Sequence, residues 1–126
     1  YQILSGLVGS EMCIRDSYKA ADELAKENIS CEIIDLRTVR PMDHKTILES
    51  VKKTNRLVIL EEAWPFGNVS TEITYQVQSQ AFDYLDAPIE KINTADTPAP
   101  YSPVLLKEWL PNSNDVIKAV NKVLYK

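Results

Sequence analysis

Residues 31–62, CEIIDLRTVRPMDHKTILESVKKTNRLVILEE, contain two apolar runs separated by a loop and an amphipathic segment. The first run, over residues 31–36, is short and rich in β-branched and apolar side chains, as is typical of a buried strand. Pro41 marks the loop, and the Asp43 carboxylate can accept hydrogen bonds from the free N–H groups of a first helical turn. The second run covers residues 56–61. Two such runs joined by a helical crossover predict parallel strands that are buried on both faces.

Apolar side chains recur at helical spacing in three further segments. The first, over residues 20–26, can end at Asn28, because asparagine tolerates the left-handed conformation of a helix C-cap. The second can be capped by Ser70, and the last by Asn112 or Ser113. Each segment therefore predicts a helix with one buried face.

A third, shorter strand is expected over residues 89–93. Residues 94–103 hold three prolines and little periodicity, and they are expected to form an extended loop. Strands that alternate with helices predict one α/β domain with three layers, in which helices cover both faces of the sheet.

The composition is that of an ordinary globular domain. The 126 residues are 44% apolar and 25% charged, which is typical of a single domain with one core. A net charge of −4 argues against a nucleic-acid-binding surface, which needs clustered basic side chains. No apolar run approaches the length of a membrane span, so no membrane partner is expected. Cys13 and Cys31 give no disulfide framework, and a reducing compartment is expected.

His44, Glu61 and Glu62 are the first candidates for catalysis. His44 is the only histidine, but it follows a helix cap and has no evident orienting partner, so a surface position is expected. Glu61 and Glu62 end a parallel strand, which is where open α/β sheets place binding sites. Because adjacent strand residues point to opposite faces, a catalytic pair is not expected. One glutamate is expected to cap the following turn and the other to meet a partner subunit.

Other side chains can serve either the domain or a partner. Arg37 and Arg40 can bind an anion, but a clamp on loop carbonyls or carboxylates is the preferred interpretation. Trp64 and Phe66 can be core residues or anchors across a subunit interface, where aromatic side chains supply much of the binding energy. Neither a metal-ligand spacing nor a phosphate-binding glycine loop occurs. No catalytic, cofactor-binding or metal-binding residue is therefore expected in this chain.

Four blocks carry a resemblance to a known family: IIDLRTVRPMD (33–43), SVKKTNRLVILEEAWP (50–65), AFDYLDAPIEKINTADTPAPY (81–101) and VIKAVNKVLY (116–125). Together they resemble the C-terminal domain of the pyruvate dehydrogenase beta subunits, a domain of the transketolase C-terminal type. The resemblance extends over residues 19–126. It implies a mixed five-stranded sheet, of which the three predicted strands are a part.

The resemblance also implies a function. The family belongs to the thiamine-dependent decarboxylating component of the 2-oxoacid dehydrogenase complexes, which converts pyruvate to acetyl-lipoamide and CO2. Thiamine diphosphate and magnesium would be bound by other parts of that enzyme, and this segment alone is expected to be inactive. Its implied roles are assembly with an alpha subunit and a second beta subunit into a heterotetramer, and docking to the acyltransferase core. The implied compartment is the bacterial cytoplasm, or the mitochondrial matrix in a eukaryote.

Two alternatives to this function stay open. A branched-chain 2-oxoacid dehydrogenase carries a similar beta subunit, and a stand-alone, non-catalytic binding module would need no catalytic partner. Asp86 can have either a structural role or a docking role. It can satisfy the backbone of its own turn, as aspartate commonly does, or it can dock the basic subunit-binding domain of the acyltransferase core. The partner-binding candidates are thus Asp86, Trp64, Phe66, Glu61 and Glu62.

Residues 1–17 do not resemble the family. SGLVGSEMCIRDS (5–17) is similar to a translated sequencing-adapter read-through, so residues 1–17 are interpreted as a non-native leader and residues 18–126 as the domain. The expected domain would then be truncated at its N-terminal strands and would lack the central strand between its first two predicted strands. Residues 1–8 can enter this slot, because Gln2-Ile3-Leu4 and Leu7-Val8 can form a short strand.

Overall fold

The structure is a computed structural model that describes residues 2–8 and 11–126, with side chains from residue 13 onward. Its strands are β1 (Gln2–Val8), β2 (Ser30–Asp35), β3 (Leu57–Glu61) and β4 (Glu90–Ile92). Its helices are α1 (Glu11–Ala25), α2 (His44–Thr54), α3 (Val69–Ala81), a 3-10 turn (Phe82–Tyr84), α4 (Pro103–Trp109) and α5 (Ser113–Val123). The three strands predicted from the sequence are all present, each within about a residue or two of its expected ends.

The strands form one sheet in the order β2-β1-β3-β4. All three pairings between described strands are parallel, so the antiparallel member implied by a mixed sheet is not among the described residues. The predicted parallel arrangement of β2 and β3 is confirmed, with β1 between them.

Strand β1 fills the central slot. Its backbone pairs with β2 from Gln2 opposite Ser30 and with β3 from Leu4 opposite Leu57. The sheet of the described residues therefore has four strands rather than three. Tyr1, Gly9 and Ser10, which also belong to the suspected leader, lie outside the described residues. The suspected boundary after residue 17 falls inside the continuous helix α1.

Helices cover both faces of the sheet, which confirms the three-layer architecture. All five residues of β3 are buried, and their side chains alternate between two cores. Val58 and Leu60 pack with apolar side chains of α1 and α5, whereas Leu57 and Ile59 pack with those of α2 and α3. This two-sided burial is what the continuous apolar run over residues 56–61 predicted. The same prediction is wrong for β2, because β2 is the edge strand of the described sheet and none of its residues is buried.

The helix caps agree with the sequence at two of three positions. Asp43 accepts from the N–H of Thr46 and caps α2, and Asn112 caps α5. The cap of α3 is Asn68 rather than Ser70. Ser70 is fully buried in the first turn instead. The prediction missed Asn68 because it follows directly on the turn at residues 64–67, where the helix begins earlier than the apolar periodicity indicates.

Helix α4 was not predicted. The loop before it is extended as expected, but Pro103 starts a short helix at its N1/N2 position, where proline lacks an N–H that would have no partner anyway. None of its residues is buried. Among the described residues, no helix is long and apolar enough to span a membrane.

Glu32 links the edge strand β2 to α2 and gives the fold a pH dependence. Its carboxylate accepts from Ser50 Oγ at 2.7 Å and pairs with Lys53 Nζ at 2.8 Å. The hydrogen bonds from Lys53 and Ser50 lower the pKa of Glu32. A carboxyl with a lowered folded-state pKa stabilises the fold above its unfolded-state pKa, and this contribution is lost as the pH falls through the folded-state value.

Glu32→Gln should therefore destabilise the chain at pH 7 and change little at acidic pH. The expected loss is below about 1 kcal/mol, because the pair is partly solvated. Urea midpoints measured from about pH 3 to pH 7, on either side of the ordinary glutamate pKa, would check it. Glu49→Gln is the control, since Glu49 makes a long, exposed pair with Lys45. Parallel pH profiles for the native chain and Glu32→Gln would contradict the prediction.

Candidate functional site

The predicted partner-binding residues lie at opposite ends of the sheet. Glu61 ends β3, and Glu62, Trp64 and Phe66 follow it, so these four are at the carboxyl end of the strands. Asp86 precedes β4 and lies at the amino end. A five-residue strand is ~16 Å long at about 3.3 Å per residue. The five residues are therefore divided between two ends of the sheet, and the surface at each end is described separately.

Glu61 has a structural role within the domain. Its side chain is 5% exposed, and its two carboxylate oxygens accept from the N–H groups of Val69 and Ser70, at 3.2 and 2.9 Å. A carboxylate at a helix N-terminus satisfies orphan donors and interacts favourably with the helix dipole. The expectation that one glutamate caps the following turn is met by Glu61, which caps α3 together with Asn68.

Glu62 and His44 do not join Glu61 in a catalytic group. Glu62 is exposed while Glu61 is buried, which is the alternation expected of adjacent strand residues. His44 is the first residue of α2 and lies at the surface, as expected, although it is half-buried there. It lines a shallow groove with Arg40 and Glu72.

Hydrogen bonds to two distant segments hold the turn at residues 64–67. The indole of Trp64 donates to the carbonyl of Thr97 at 2.9 Å. Lys91 Nζ donates to the carbonyl of Pro65 at 3.0 Å and to Thr71 Oγ1 at 2.9 Å. Gly67 has a φ of +64°, a conformation that glycine adopts without steric cost. The turn is therefore a rigid platform.

Large apolar side chains are exposed on and beside this platform. Phe66 is 90% exposed and Trp64 is 52% exposed, so neither is a core residue. The indole of Trp109 donates to the same Thr97 carbonyl that Trp64 contacts, which ties α4 to the turn. We define the carboxyl-end surface by its exposed apolar side chains: Trp64, Phe66, Tyr101, Val104 and Leu105. Exposed aromatic side chains on an ordered turn are candidates for a protein–protein contact.

Asp86 is exposed but not isolated. Its carboxylate oxygen Oδ2 lies 3.7 Å from Nη1 of Arg56. Its N–H donates to the carbonyl of Asn55 at 2.8 Å, and its carbonyl accepts from the hydroxyl of Tyr125 at 3.2 Å. The side chain thus contacts a guanidinium rather than the backbone of its own turn, which corrects the turn-capping alternative.

A cleft of about 470 Å³ opens beside Asp86. Phe82 is 59% exposed and Tyr125 is 71% exposed there, so an acid and two aromatic rings face solvent together. We define the amino-end surface by the cleft-lining residues Phe82, Leu85, Asp86, Pro88 and Tyr125. The contacts of Arg56 and Tyr125 with Asp86 were not predicted, because no sequence pattern links these residues to Asp86.

The described residues offer little to a metal or an anion. No group of three or more His, Cys, Asp or Glu side chains suited to a metal occurs within the described part of the chain. Arg37 Nε donates to Asp35 Oδ2 at 3.3 Å, which fits the preferred clamp on a carboxylate of the domain. Cys31 is half-buried, and burial raises the pKa of its thiol, which disfavours the reactive thiolate.

A family model described as "Transketolase, C-terminal domain" matches residues 7–116. The chain belongs to the transketolase C-terminal domain family. The match includes β3, α3 and β4, and hence both surfaces apart from the C-terminal tail. It also agrees with the predicted fold class.

Curated relatives of this transketolase C-terminal domain are beta subunits. It is 56% identical over 106 residues to "Pyruvate dehydrogenase E1 component subunit beta" of Rickettsia felis, covering 84% of this chain and 32% of the relative. The protein of the same name from Rhizobium meliloti is 56% identical over 108 residues, covering 86% and 24%. The mitochondrial one of Dictyostelium discoideum is 44% identical over 117 residues, covering 93% and 33%. The chain thus spans a third or less of the length of these relatives.

A solved structure, "Split gene transketolase, inactive beta4 tetramer", superposes with a TM-score of 0.81. The match covers 98% of this chain and 38% of that one, at 23% identity. At this identity the likeness bears on the fold alone.

Proposed function

We propose that this chain is the assembly and docking domain of a pyruvate dehydrogenase beta subunit. The observation that carries the proposal is that a domain with two complete cores still exposes apolar side chains at both ends of its sheet. The carboxyl-end surface would join subunits, and the amino-end surface would dock the enzyme to its complex. The names of the relatives support the pyruvate enzyme over the branched-chain alternative.

The parent enzyme would carry out thiamine-dependent oxidative decarboxylation of pyruvate, giving acetyl-lipoamide and CO2. Thiamine diphosphate supplies the carbanion-stabilising chemistry in such enzymes, and it would be held with magnesium by other domains. The partners would be an alpha subunit, a second beta subunit and the acyltransferase core. The cytoplasm of a bacterium, or the mitochondrial matrix of a eukaryote, would be the compartment.

Subunit assembly suits the carboxyl-end surface. Hydrogen bonds hold the Trp64 indole and the backbone of the turn that carries Phe66, so the backbone loses little conformational freedom when a partner covers these side chains. Glu62 lies beside them and is the glutamate left to face a partner, because Glu61 is buried. Rigid aromatic anchors with a polar rim are the usual composition of a binding hot spot.

Docking suits the amino-end surface. Asp86 supplies a negative charge at the rim of an apolar cleft, and its side chain is 58% exposed. A basic side chain of a partner can pair with this carboxylate while an apolar neighbour enters the cleft. Such charge complementarity gives specificity and speeds association.

Asp86→Asn is expected to weaken docking to the basic subunit-binding domain of the acyltransferase. It removes the charge and keeps the shape. The loss should be modest if the pair lies at the rim and about 2–5 kcal/mol if it is buried, and the salt dependence of docking should decrease. Titration calorimetry at two salt concentrations, on the full-length subunit assembled with its alpha partner, measures both quantities.

Asp83→Asn is the matched control, because it removes the same charge from an exposed position in the adjacent 3-10 turn. Equal effects of the two substitutions would mean that docking responds to overall charge and not to Asp86. Unchanged docking in Asp86→Asn at both salt concentrations would remove Asp86 from the interface. Activity of the unattached enzyme should stay normal in both variants.

A further inference from the structure

We infer that Arg56 is a positioning residue for Asp86 and thereby sets how tightly the amino-end surface binds a basic partner. The inference rests on the docking role proposed above. Arg56 precedes β3 and belongs to a different loop from Asp86. The fold brings the two side chains together at the amino end of the sheet.

Arg56 is anchored independently of Asp86. Its side chain is only 13% exposed, and its Nε donates to the carbonyl of Val123, the last residue of α5, at 2.9 Å. A guanidinium is planar and rigid, so a fixed Nε also fixes the direction of the terminal nitrogens. Arg56 therefore presents its charge to Asp86 as part of the domain framework.

The main chain of Asp86 is anchored as well. Asn55 accepts from its N–H, and Tyr125 donates to its carbonyl. Asn55 in turn donates from its side-chain amide to the carbonyl of Tyr84 at 2.8 Å. With the backbone held on both sides, rotation about the side-chain bonds is the main freedom left to the Asp86 carboxylate. The positive charge of Arg56 favours the rotamer of Asp86 that points the carboxylate towards the guanidinium.

The carboxylate stays open to a partner. The separation of 3.7 Å is longer than the roughly 2.7–2.9 Å of a charge-assisted hydrogen bond. A carboxylate has about four lone-pair sites, and this one is more than half exposed. A partner's lysine or arginine can therefore bind Asp86 without displacing Arg56.

Arg56 has two opposing effects on docking. It orders the carboxylate before the partner arrives, and ordering one side chain corresponds to about 2- to 12-fold in affinity. Its positive charge also repels a basic partner. The repulsion is the weaker effect, because the partner approaches from the solvent side, beyond the carboxylate, where water and ions screen charges.

Arg56→Gln should weaken docking about 2- to 12-fold in the assembled enzyme, titrated with the isolated subunit-binding domain. In an Asp86→Asn background the same substitution should have no further effect, because no carboxylate remains to be oriented. A crystal structure of the assembled Arg56→Gln enzyme should show Asp86 in more than one rotamer. Arg56→Lys keeps the charge but loses the planar guanidinium that bonds Val123 through one nitrogen and faces Asp86 with another, so it should weaken docking similarly.

Arg37→Gln is the control, since Arg37 pairs with Asp35 at the opposite end of the sheet, and it should leave docking unchanged. Unchanged or tighter docking in Arg56→Gln would overturn the inference. So would native-like docking in Arg56→Lys, or equal weakening with and without the Asp86 carboxylate. If Asp86→Asn itself has no effect, the proposed docking role fails first and this inference fails with it.

Discussion

Deleting residues 1–17 is expected to abolish cooperative folding of this chain. The deletion removes β1, which pairs with both β2 and β3, and the first turns of α1, where Cys13 and Ser17 are buried. Every residue of β2 would lose its neighbouring strand. Each unpaired buried backbone group costs about 1–3 kcal/mol, so several of them together are comparable to the ~5–15 kcal/mol that stabilises a typical domain. Circular dichroism with denaturant titration should show no cooperative transition.

Point substitutions test the same strand without changing the chain length. Ser5→Pro removes a ladder donor in the middle of β1 and should destabilise strongly. Ala99→Pro is the matched control, because Ala99 lies between two prolines in an exposed extended loop. An unchanged denaturant midpoint after deletion, or equal effects of the two prolines, would mean that residues 2–8 do not pair in the sheet.

The helices and strands that could be predicted are those whose residue pattern along the chain matches the way the element packs in the fold. The apolar run at residues 56–61 is buried on both faces, and Asp43 precedes a helix with a clear periodicity. Helix α4 lacked such a signal, because it buries no residue and so has no apolar stripe to detect. Strand β1 could be suggested for the central slot, but its register could not be predicted, since β2 and β3 set that register rather than its own residues.

The surroundings of the candidate surfaces were harder to anticipate. Asp86 was singled out as an exposed acid, but its pairing with Arg56 depends on two loops that meet only when α2, β3 and α5 are packed. The Thr97 carbonyl that receives both Trp64 and Trp109 is likewise a main-chain atom with no sequence signature. Long-range polar contacts of this kind follow from the fold and cannot be read from spacing along the chain.

Glu61→Gln is expected to cost about 2–3 kcal/mol of stability, which is large for a substitution that keeps the shape. The native carboxylate accepts from two N–H groups at the start of α3, and hydrogen bonds to charged groups contribute about 1.5–3 kcal/mol. A glutamine can accept one of these bonds with its oxygen, but its NH2 group would face the other donor. Urea unfolding of the full chain gives the free-energy difference, and amide hydrogen exchange at Val69 and Ser70 locates it.

The neighbouring Glu62→Gln makes the same chemical change at an exposed position and should alter stability by less than about 1 kcal/mol. Faster exchange confined to the first turn of α3 in Glu61→Gln would attribute the loss to the cap. Because that turn also carries Asn68 and contacts Lys91 through Thr71, its loosening should disturb the platform under Trp64 and Phe66. Glu61→Gln should then weaken subunit assembly as well, although Glu61 is buried. Equal stability of the two glutamine variants, or unchanged exchange at Val69 and Ser70, would contradict this role.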